Sequence, residues 1–339
     1  MPVTLNTSSL GTDMSNLLDF NLSPGNRTST RFEATGSGLS AIFTGSGLQY
    51  DSSGRPSAGT LSSFEISTAG ASTYQIHLDF DAFSAADAMA ALGGSNLRAM
   101  LAFFLAGDDQ VNGGSNADYL LGFSGADTIN GNAGNDQIDG DAVDDPIGGD
   151  DAIDGGLGND TIRGLGGNDE ILGGAGDDDV NGNKGADTVY GGSGRDIVRG
   201  GQGDDIVYGD DGNDFHVNGN IGNDTVYGGT GSDAVFGGQN EDLMYGESGN
   251  DTMSGDLGND TMYGGTGADW FAFRAGSGAD RVEDFSFDEG DRVQLAPGTA
   301  YTVVASGADA VIRLTGTSDT LTLVGVTASS VTASYVVFA

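Results

Sequence analysis

A nine-residue motif repeats along the middle of this chain and constrains its fold more than any other feature. Residues 155–172 read GGLGNDTIR followed by GLGGNDEIL, and the shared pattern is G-G-x-G-x-D-x-U-x, where U is a large apolar residue. The sixth-position aspartates keep one register from Asp109 to Asp269, apart from a step of fifteen residues after Asp136 and a step of ten after Asp214. A fixed period over so long a stretch predicts a solenoid, in which each repeat is stabilised by stacking on its neighbours.

Each position of the motif has a physical role. Positions one to six are predicted to form a turn, because glycine tolerates positive φ and leaves backbone carbonyls free to face an ion. The aspartate at position six adds a carboxylate, and calcium accepts about six to eight oxygens of both kinds. Positions seven to nine are predicted to form a three-residue strand whose central side chain points into a thin apolar core between two sheets. These central residues include Ile129, Ile162, Val189, Val207, Val226 and Met253.

The acidic charge is concentrated in the same segment. The formal net charge of the chain is −38, and residues 104–272 hold 34 of the acidic side chains against 4 basic ones. Self-repulsion on this scale opposes compaction, and a cation that neutralises the carboxylates would remove it. Nucleic acid and anionic membranes are disfavoured as partners of this segment, because both require clustered Lys and Arg. Cysteine is absent, which excludes disulfides and thiolate metal sites, and no apolar run is long enough for a membrane span.

The array resembles the RTX family, whose repeated nonapeptides form calcium-loaded parallel β-rolls. The resemblance implies a mainly β fold: a calcium-bound parallel β-roll, or solenoid, of about nine coils with a small N-terminal α+β cap and a C-terminal β cap. It also implies multiple bound Ca²⁺ ions, each held between stacked loops and shared by their aspartates. The metal ligands predicted on this basis are Asp118, Asp127, Asp136, Asp151, Asp160, Asp169, Asp178, Asp187, Asp196, Asp205, Asp214, Asp224, Asp233, Asp242, Asp251, Asp260 and Asp269.

Two repeats make one coil in such a roll, so the resemblance pairs each aspartate with the one two repeats later. The predicted pairs are Asp160 with Asp178, Asp178 with Asp196, Asp196 with Asp214, Asp151 with Asp169, Asp169 with Asp187, Asp187 with Asp205, Asp224 with Asp242, Asp242 with Asp260, Asp233 with Asp251, and Asp251 with Asp269. Consecutive repeats are expected to alternate between the two edges of the roll.

The segment 140–154 departs from the repeat. It contains six extra residues and Pro146, which cannot donate a hydrogen bond at a strand position. Asp145 is either a degenerate sixth-position ligand or part of an outward loop. The strand parity between Asp136 and Asp151 is therefore open.

The stretch 214–218 has one extra residue, like a bulge, and either His216 or Val217 takes the inward position. Glycine is also missing from position four at Asn116 and Asn240. We expect these two loops to be weaker than their neighbours, since position four falls in the glycine-dependent part of the turn.

Three domains are expected: an N-terminal capping and surface-binding module at 1–103, the calcium-binding β-roll at 104–272, and a C-terminal β cap at 273–339. The first contains short strand-like runs and a capping box at Ser84 that predicts a helix. A second short helix is predicted from apolar residues at i, i+3, i+4 and i+7, namely Leu97, Met100, Leu101 and Phe104. This apolar stripe is expected to cover the first coil; the alternative is a membrane or partner contact.

The C-terminal segment is similar to the tails of RTX proteins exported by type I secretion. Residues 300–326 alternate between apolar and polar side chains, which predicts strands and hairpins, and the chain ends in VVFA, like the apolar ends of such tails. The resemblance implies an uncleaved signal, an ABC transporter complex as partner during export, and a secreted, extracellular or cell-surface location in a Gram-negative bacterium. A capping subdomain without a signal role is the alternative.

No catalytic motif accompanies the repeats. The chain has neither the HExxH zinc helix nor the GxSxG nucleophile elbow, and its two histidines, His77 and His216, lie in a strand-like run and in the irregular repeat. We therefore expect a non-enzymatic, structural or adhesive protein of the cell surface, biofilm matrix or surface layer, with glycans or other copies of the chain as partners. The alternative is an extracellular enzyme or toxin-like effector whose N-terminal segment acts on polysaccharide.

Overall fold

The computed structural model describes residues 107–142 and 148–339 in full, together with the backbone of six strands between Thr4 and Ser84. The chain divides into two compact units, Met1–Gly166 and Gly167–Ala339. Within the ranges 107–142 and 148–339 the regular structure is entirely β, with no helix. The helices predicted from Ser84 and from the apolar stripe that ends at Phe104 lie outside the described residues.

The first unit begins with an antiparallel sheet. Its strands are β1 (Thr4–Thr7), β2 (Ser23–Thr28), β3 (Arg31–Gly36), β4 (Leu39–Tyr50), β5 (Pro56–Thr68) and β6 (Gln75–Ser84). Strands β2 to β6 pair in sequence order, and β1 pairs antiparallel with β6. The other edge of β1 pairs in parallel with Gln110–Asn112, the first strand of the repeat region. Strand β1 thus pairs with the edge strand of the first coil.

The rest of the first unit consists of parallel strands in two sheets. They are β7 (Gln110–Asn112), β8 (Tyr119–Phe123), β9 (Thr128–Asn130), β10 (Gln137–Asp141), β11 (Ala152–Leu157) and β12 (Thr161–Gly166). The odd-numbered strands pair with one another in one sheet, called sheet A, and the even-numbered strands pair in the other, called sheet B. Consecutive repeats therefore alternate between the sheets, as a β-roll requires.

The second unit continues the alternation through fourteen parallel strands. They are β13 (Glu170–Ala175), β14 (Asp179–Lys184), β15 (Thr188–Gly194), β16 (Ile197–Gln202), β17 (Ile206–Gly212), β18 (His216–Ile221), β19 (Thr225–Thr230), β20 (Ala234–Gln239), β21 (Leu243–Ser248), β22 (Thr252–Leu257), β23 (Thr261–Tyr263), β24 (Trp270–Ala272), β25 (Ala279–Val282) and β26 (Arg292–Leu295). Neighbouring odd strands pair in sheet A and neighbouring even strands in sheet B.

The C-terminal strands of the second unit extend both sheets. They are β27 (Tyr301–Ser306), β28 (Asp309–Leu314), β29 (Thr320–Leu323) and β30 (Val336–Phe338). Strands β27, β28 and β29 form an antiparallel meander, and β29 pairs in parallel with β25 in sheet A. Strand β30, at the end of the chain, pairs in parallel with β26 in sheet B. The strands and hairpins predicted for residues 300–326 are present.

The apolar core follows the eighth position of the repeat, as predicted. Ile129, Ile162, Val189, Val207, Val226 and Met253 are all completely buried. The strands are longer than the sequence predicted: most run for six residues, as in Thr161–Gly166, rather than three. They include the first three positions of the following repeat, because those glycine-rich positions also hydrogen-bond to the coils on either side. The prediction that positions one to six form only a turn is wrong in this respect.

The register across both irregular segments is defined. Ile153 stands opposite Ile129, and Ile162 opposite Ile138, so the step from Asp136 to Asp151 counts as one repeat with six inserted residues. Asp145 lies outside the described residues, so its two interpretations stay predictions. At the second irregularity Val217 is buried and paired with Val198, while His216 is half-buried against Phe236. The inward residue is Val217.

Candidate calcium sites

The sixth-position aspartates form two hydrogen-bonded ladders, one leading into each sheet. Within each unit, the backbone N–H of one aspartate donates to Oδ1 of the aspartate two repeats later, at 2.7–3.0 Å. In the first unit the pairs are Asp109 with Asp127, Asp127 with Asp151, Asp118 with Asp136, and Asp136 with Asp160. Two of these pairs, Asp127 with Asp151 and Asp136 with Asp160, span the six inserted residues. Each ladder therefore continues past the insertion.

The second unit contains the same ladders. One joins Asp169, Asp187, Asp205, Asp224, Asp242 and Asp260, and the other joins Asp178, Asp196, Asp214, Asp233, Asp251 and Asp269. The pairs predicted within this unit are therefore stacked as expected. Two further pairs, Asp205 with Asp224 and Asp214 with Asp233, cross the one-residue bulge.

The ladder carboxylates are buried, and many have an oxygen with no hydrogen-bond donor. Every sixth-position aspartate from Asp109 to Asp269 is at most 5% exposed. The oxygens without a hydrogen-bond partner are Oδ2 of Asp127, Asp136, Asp196, Asp205, Asp214, Asp224, Asp233, Asp242, Asp251, Asp260 and Asp269. Burying a carboxylate without full compensation costs several kcal/mol. A cation contacting these oxygens would offset that cost.

Burial also shifts the acid–base behaviour of the ladder. It raises the pKa of Asp205 and of Asp242 to about 8, partly opposed by the backbone N–H that donates to each, and neighbouring ladder carboxylates raise it further. Burial likewise raises the pKa to about 8 at Asp127 and Asp151, to about 7 at Asp214 and Asp251, and to about 6 at Asp136, Asp196, Asp224, Asp260 and Asp269. At neutral pH the aspartates with a pKa of about 8 therefore keep a proton unless a metal ion replaces it.

Two glycine positions bring the loops close enough to share an ion. At position one, a Cβ on Gly182 would lie 2.3 Å from Oδ2 of Asp187 in its own repeat. At position four, Gly231 has φ +138, and its Cβ would lie 1.3 Å from the carbonyl oxygen of Gly212 in the coil below. Position four is thus restricted twice, by a backbone conformation that L-residues avoid and by the neighbouring carbonyl.

The donor set fits calcium better than a transition metal. Within the described ranges, no group of three or more Asp, Glu, His or Cys side chains is arranged to hold a metal ion. An ion between two loops would therefore take one or two carboxylates and complete its shell with backbone carbonyls. Calcium accepts such mixed oxygen shells with flexible geometry, whereas zinc sites use nitrogen and sulfur ligands in a tetrahedron.

The repeats match a known protein family over half of the chain. The RTX calcium-binding nonapeptide repeat matches residues 105–125, 112–145, 147–180, 181–215, 216–244, 236–271 and 245–282. The chain belongs to this RTX family. The match establishes calcium binding as the general property of these repeats, in agreement with the parallel roll. The ions bound by this chain remain to be counted.

Several solved structures are similar to this RTX chain. The R3 subunit of the Azotobacter vinelandii mannuronan C5-epimerase is 30% identical, the match covering 34% of this chain and 78% of that one, with a TM-score of 0.29. The R2 subunit of the same enzyme is 22% identical, covering 42% and 92%, with a TM-score of 0.28. The extracellular lipase LipA of Serratia marcescens is 14% identical, covering 93% and 84%, with a TM-score of 0.25. The search of curated proteins found no match.

The ladders extend past the last predicted ligand. The N–H of Asp260 donates to Oδ1 of Asp280 at 3.2 Å, and the N–H of Asp269 donates to Oδ1 of Asp291 at 3.0 Å. A sequence signal for the first existed: residues 275–283 read AGSGADRVE, a nonapeptide with Ala at its first position and a two-residue phase shift. Sequence reasoning missed it because it followed the register of nine from Asp269.

Proposed function

We propose that this RTX protein is a secreted, non-enzymatic calcium binder that folds on extracellular calcium and serves a structural or adhesive role at the cell surface. The observation that supports this is the pair of ladders, whose buried carboxylates include many with an oxygen that no hydrogen-bond donor contacts. The proposed ligands are the sixth-position aspartates, from Asp118 to Asp269, together with loop carbonyls.

Calcium concentration would then decide where the chain folds. A ligand that binds only the folded state stabilises it by RT ln(1 + [L]/Kd). With a Kd of about 10⁻⁴ M, typical of extracellular modules, calcium at about 1 mM contributes roughly 1.4 kcal/mol per site. At cytosolic calcium, on the order of 10⁻⁷ M, the same site contributes almost nothing. The chain would remain unfolded before export and fold outside.

Export through a type I system is tested by deleting the last 60 residues. The full chain is expected in the medium or on the cell surface, and the truncated chain inside the cell. Secretion of the truncated chain would contradict a C-terminal signal. In the described residues no helix is long and apolar enough to cross a membrane.

A groove on the sheet B face of the second unit favours a glycan as surface partner. It has a volume of about 640 Å³ and is lined by Asn181, Asn183, Arg199 and Asn220, among others. Planar amides and guanidinium groups donate well-directed hydrogen bonds, as sugar hydroxyls require. Arg199 is held by an ion pair with Asp179 at 2.7 Å, which leaves other N–H groups of its guanidinium free to donate.

Binding and turnover distinguish this role from the enzymatic alternative. The calcium-loaded full chain is incubated with a panel of neutral and acidic polysaccharides, and bound chain and newly formed chain ends are both measured. Calcium-dependent binding that Asn220→Gly weakens, without new chain ends, is the expected result. Glycine tolerates the φ of +78 at this position, and Asp210→Gly, at φ +70 in sheet A, is the matched control. Cleavage or modification of a polysaccharide would favour an enzymatic N-terminal segment instead.

A further inference from the structure

Each sheet of the second unit has a groove on its outer face. The groove on sheet A has a volume of about 470 Å³ and crosses five strands, β13 to β21. The groove on sheet B, described above, crosses the five strands from β14 to β22. Both are lined by glycines at position two of the repeat, such as Gly192 in sheet A and Gly201 in sheet B. The two faces therefore share one design and one strand spacing.

The face of sheet A is aromatic and acidic. A ladder of stacked, half-buried tyrosines occupies position nine, with neighbouring ring centroids 4.7–5.0 Å apart: Tyr190, Tyr208, Tyr227, Tyr245 and Tyr263. Two of these rings line the groove, together with three acidic side chains, Asp210, Asp211 and Glu247. No Lys or Arg of the described residues lines it. This face therefore has negative charge that no lining cation balances.

The face of sheet B has the opposite character. Its groove is lined by two arginines, Arg199 and Arg274, against a single acid, Asp256. Two aliphatic side chains that line it are largely exposed, Ile221 at 43% and Leu257 at 54%. The difference extends beyond the groove, because the sheet A strands from β13 to β23 contain no Lys or Arg, whereas β14 and β16 in sheet B each contain one.

The two faces complement each other in charge, in chemistry and in period. Carboxylates such as Glu247 match the guanidinium groups of Arg199 and Arg274, and tyrosine rings pack well against both arginine and aliphatic side chains. Strands repeat every 4.7–4.9 Å or so in any sheet, so a row of five tyrosines can meet five strands in register. Two sheet A faces would instead place acid against acid.

We propose that the sheet A face of one chain docks on the sheet B groove of a second copy of this chain. The contact uses a different surface on each partner, so every added copy leaves one face of each kind free, and assembly continues into an open filament. The proposal rests on the structural role proposed above. It also implies that a docked copy and a glycan exclude one another, because both occupy the sheet B groove.

The first test measures the oligomeric state of the calcium-loaded full chain by sedimentation velocity, without polysaccharide. Oligomers larger than a dimer are expected, growing with protein concentration. They should dissociate as salt rises from about 0.1 M to about 1 M, because the Debye length falls from about 10 Å to about 3 Å. A chain that stays monomeric at every concentration, or that stops at a closed dimer, overturns the proposal.

Reversing one charge on either face tests the pairing. Glu247→Lys in sheet A and Arg274→Glu in the sheet B groove should each raise the Kd of self-association by about tenfold or more, because each places like charges across the contact. The matched controls are Glu289→Lys, in the loop between β25 and β26, and Arg313→Glu, in β28; both residues are exposed and line neither groove. Equal effects of the controls, or no effect of the groove variants, would contradict the proposal.

Mixing the two groove variants separates this contact from every other kind of association. Each variant keeps one unaltered face, and the two altered faces again have opposite charges. An equimolar mixture of Glu247→Lys and Arg274→Glu should therefore associate about tenfold more tightly than either variant alone. A mixture that associates no better than its components overturns the pairing of sheet A with sheet B.

Circular dichroism in calcium separates this inference from the proposed function and checks that each variant is folded. If the unmodified chain gains no β structure with calcium, the proposed function fails. If it folds with calcium and remains monomeric, only the docking of a second copy fails.

Discussion

The repeat loops and the C-terminal meander of the second unit use glycine and burial in opposite ways. At Gly231 in the repeats, an added Cβ would collide with a carbonyl of the next coil, whereas at Gly307, in the turn between β27 and β28, it would meet nothing within 4 Å. The meander buries Ala310, Ile312 and Leu321 without a ladder of carboxylates. The meander therefore has an ordinary apolar core, whereas each repeat loop buries an acid that needs a cation.

Asp319 in the C-terminal segment and Asp242 in a repeat loop show the same contrast. Backbone N–H groups and a threonine hydroxyl hold the pKa of Asp319 below its ordinary value, so this carboxylate is stable as an anion without metal. Burial raises the pKa of Asp242 to about 8, and its Oδ2 has no donor. Asp319 is only weakly desolvated and is held by hydrogen bonds, whereas Asp242 is strongly desolvated and has an oxygen without a donor.

The largest effect is expected from Gly231→Ala. The substitution places a methyl group against a carbonyl in a backbone conformation that alanine avoids, and should destabilise the calcium-loaded protein by about 3 kcal/mol or more. The matched control, Gly307→Ala, has free space and a φ of +66, and should cost only about 1 kcal/mol. Chemical unfolding in saturating calcium measures both, and equal losses would remove the distinction between the two regions.

The effect of Asp242→Asn on stability should change sign when calcium is removed. Its carboxylate lies between the neighbours Asp224 and Asp260, so in calcium its loss should weaken two sites and cost about 1.5–3 kcal/mol. In a chelator the same substitution should be neutral or stabilising, because it removes a buried charge with no partner. Asp319→Asn should destabilise equally in both conditions. Thermal unfolding of the three proteins checks this, in calcium and in chelator with enough stabilising osmolyte to populate the metal-free fold. A loss for Asp242→Asn in chelator would contradict it.

Lower pH should weaken calcium binding and favour the metal-free fold. The pKa of Asp205 and of Asp242 in the folded chain is about 8 against an ordinary 3.8, so their contribution to metal-free stability is fully present below about pH 4 and lost as pH rises through 8. Calcium competes with those protons, so the affinity of such a site should fall by up to about tenfold per pH unit between pH 8 and 6. Calorimetric titrations at several pH values test this; a pH-independent affinity would contradict raised pKa values in the ladder.

The smallest effect is expected from Asn240→Gly. Asn240 occupies position four with φ +85, where most repeats carry glycine at larger positive φ. Restoring glycine should stabilise the calcium-loaded protein by about 0.5–1 kcal/mol, since asparagine tolerates this region only moderately. The same substitution at Asn181, where positive φ is not required, should be destabilising. Unfolding midpoints in calcium compare the two, and a destabilised Asn240→Gly would show that this loop is not weakened by asparagine.

The periodic part of the fold could be predicted from the sequence because the repeat fixes both the buried position and the alternation of sheets. Val189 and Val207 are buried where a period of nine places them, and Asp187 stacks with Asp205. Strand length was not predictable in the same way, because glycine at the first three positions disfavours strands locally. The pairing between stacked coils overrides that preference.

The interruptions of the repeat were beyond prediction from spacing alone. A step of fifteen residues fits either one long repeat or two shortened ones, and only the contact of Asp127 with Asp151 decides for one. Asp280 was missed because its loop is longer and begins with alanine. Which aspartates actually bind calcium, and where the three expected domains begin and end, remain predictions.

The proposed function depends on cations that balance the buried carboxylates of the roll. Circular dichroism of the full chain measures this dependence, followed as calcium is added after exhaustive chelation at neutral pH. We expect a mostly unordered spectrum without calcium and a cooperative gain of β structure as calcium rises toward the millimolar range. A β spectrum of full amplitude in the chelated protein, unchanged by calcium, would contradict it.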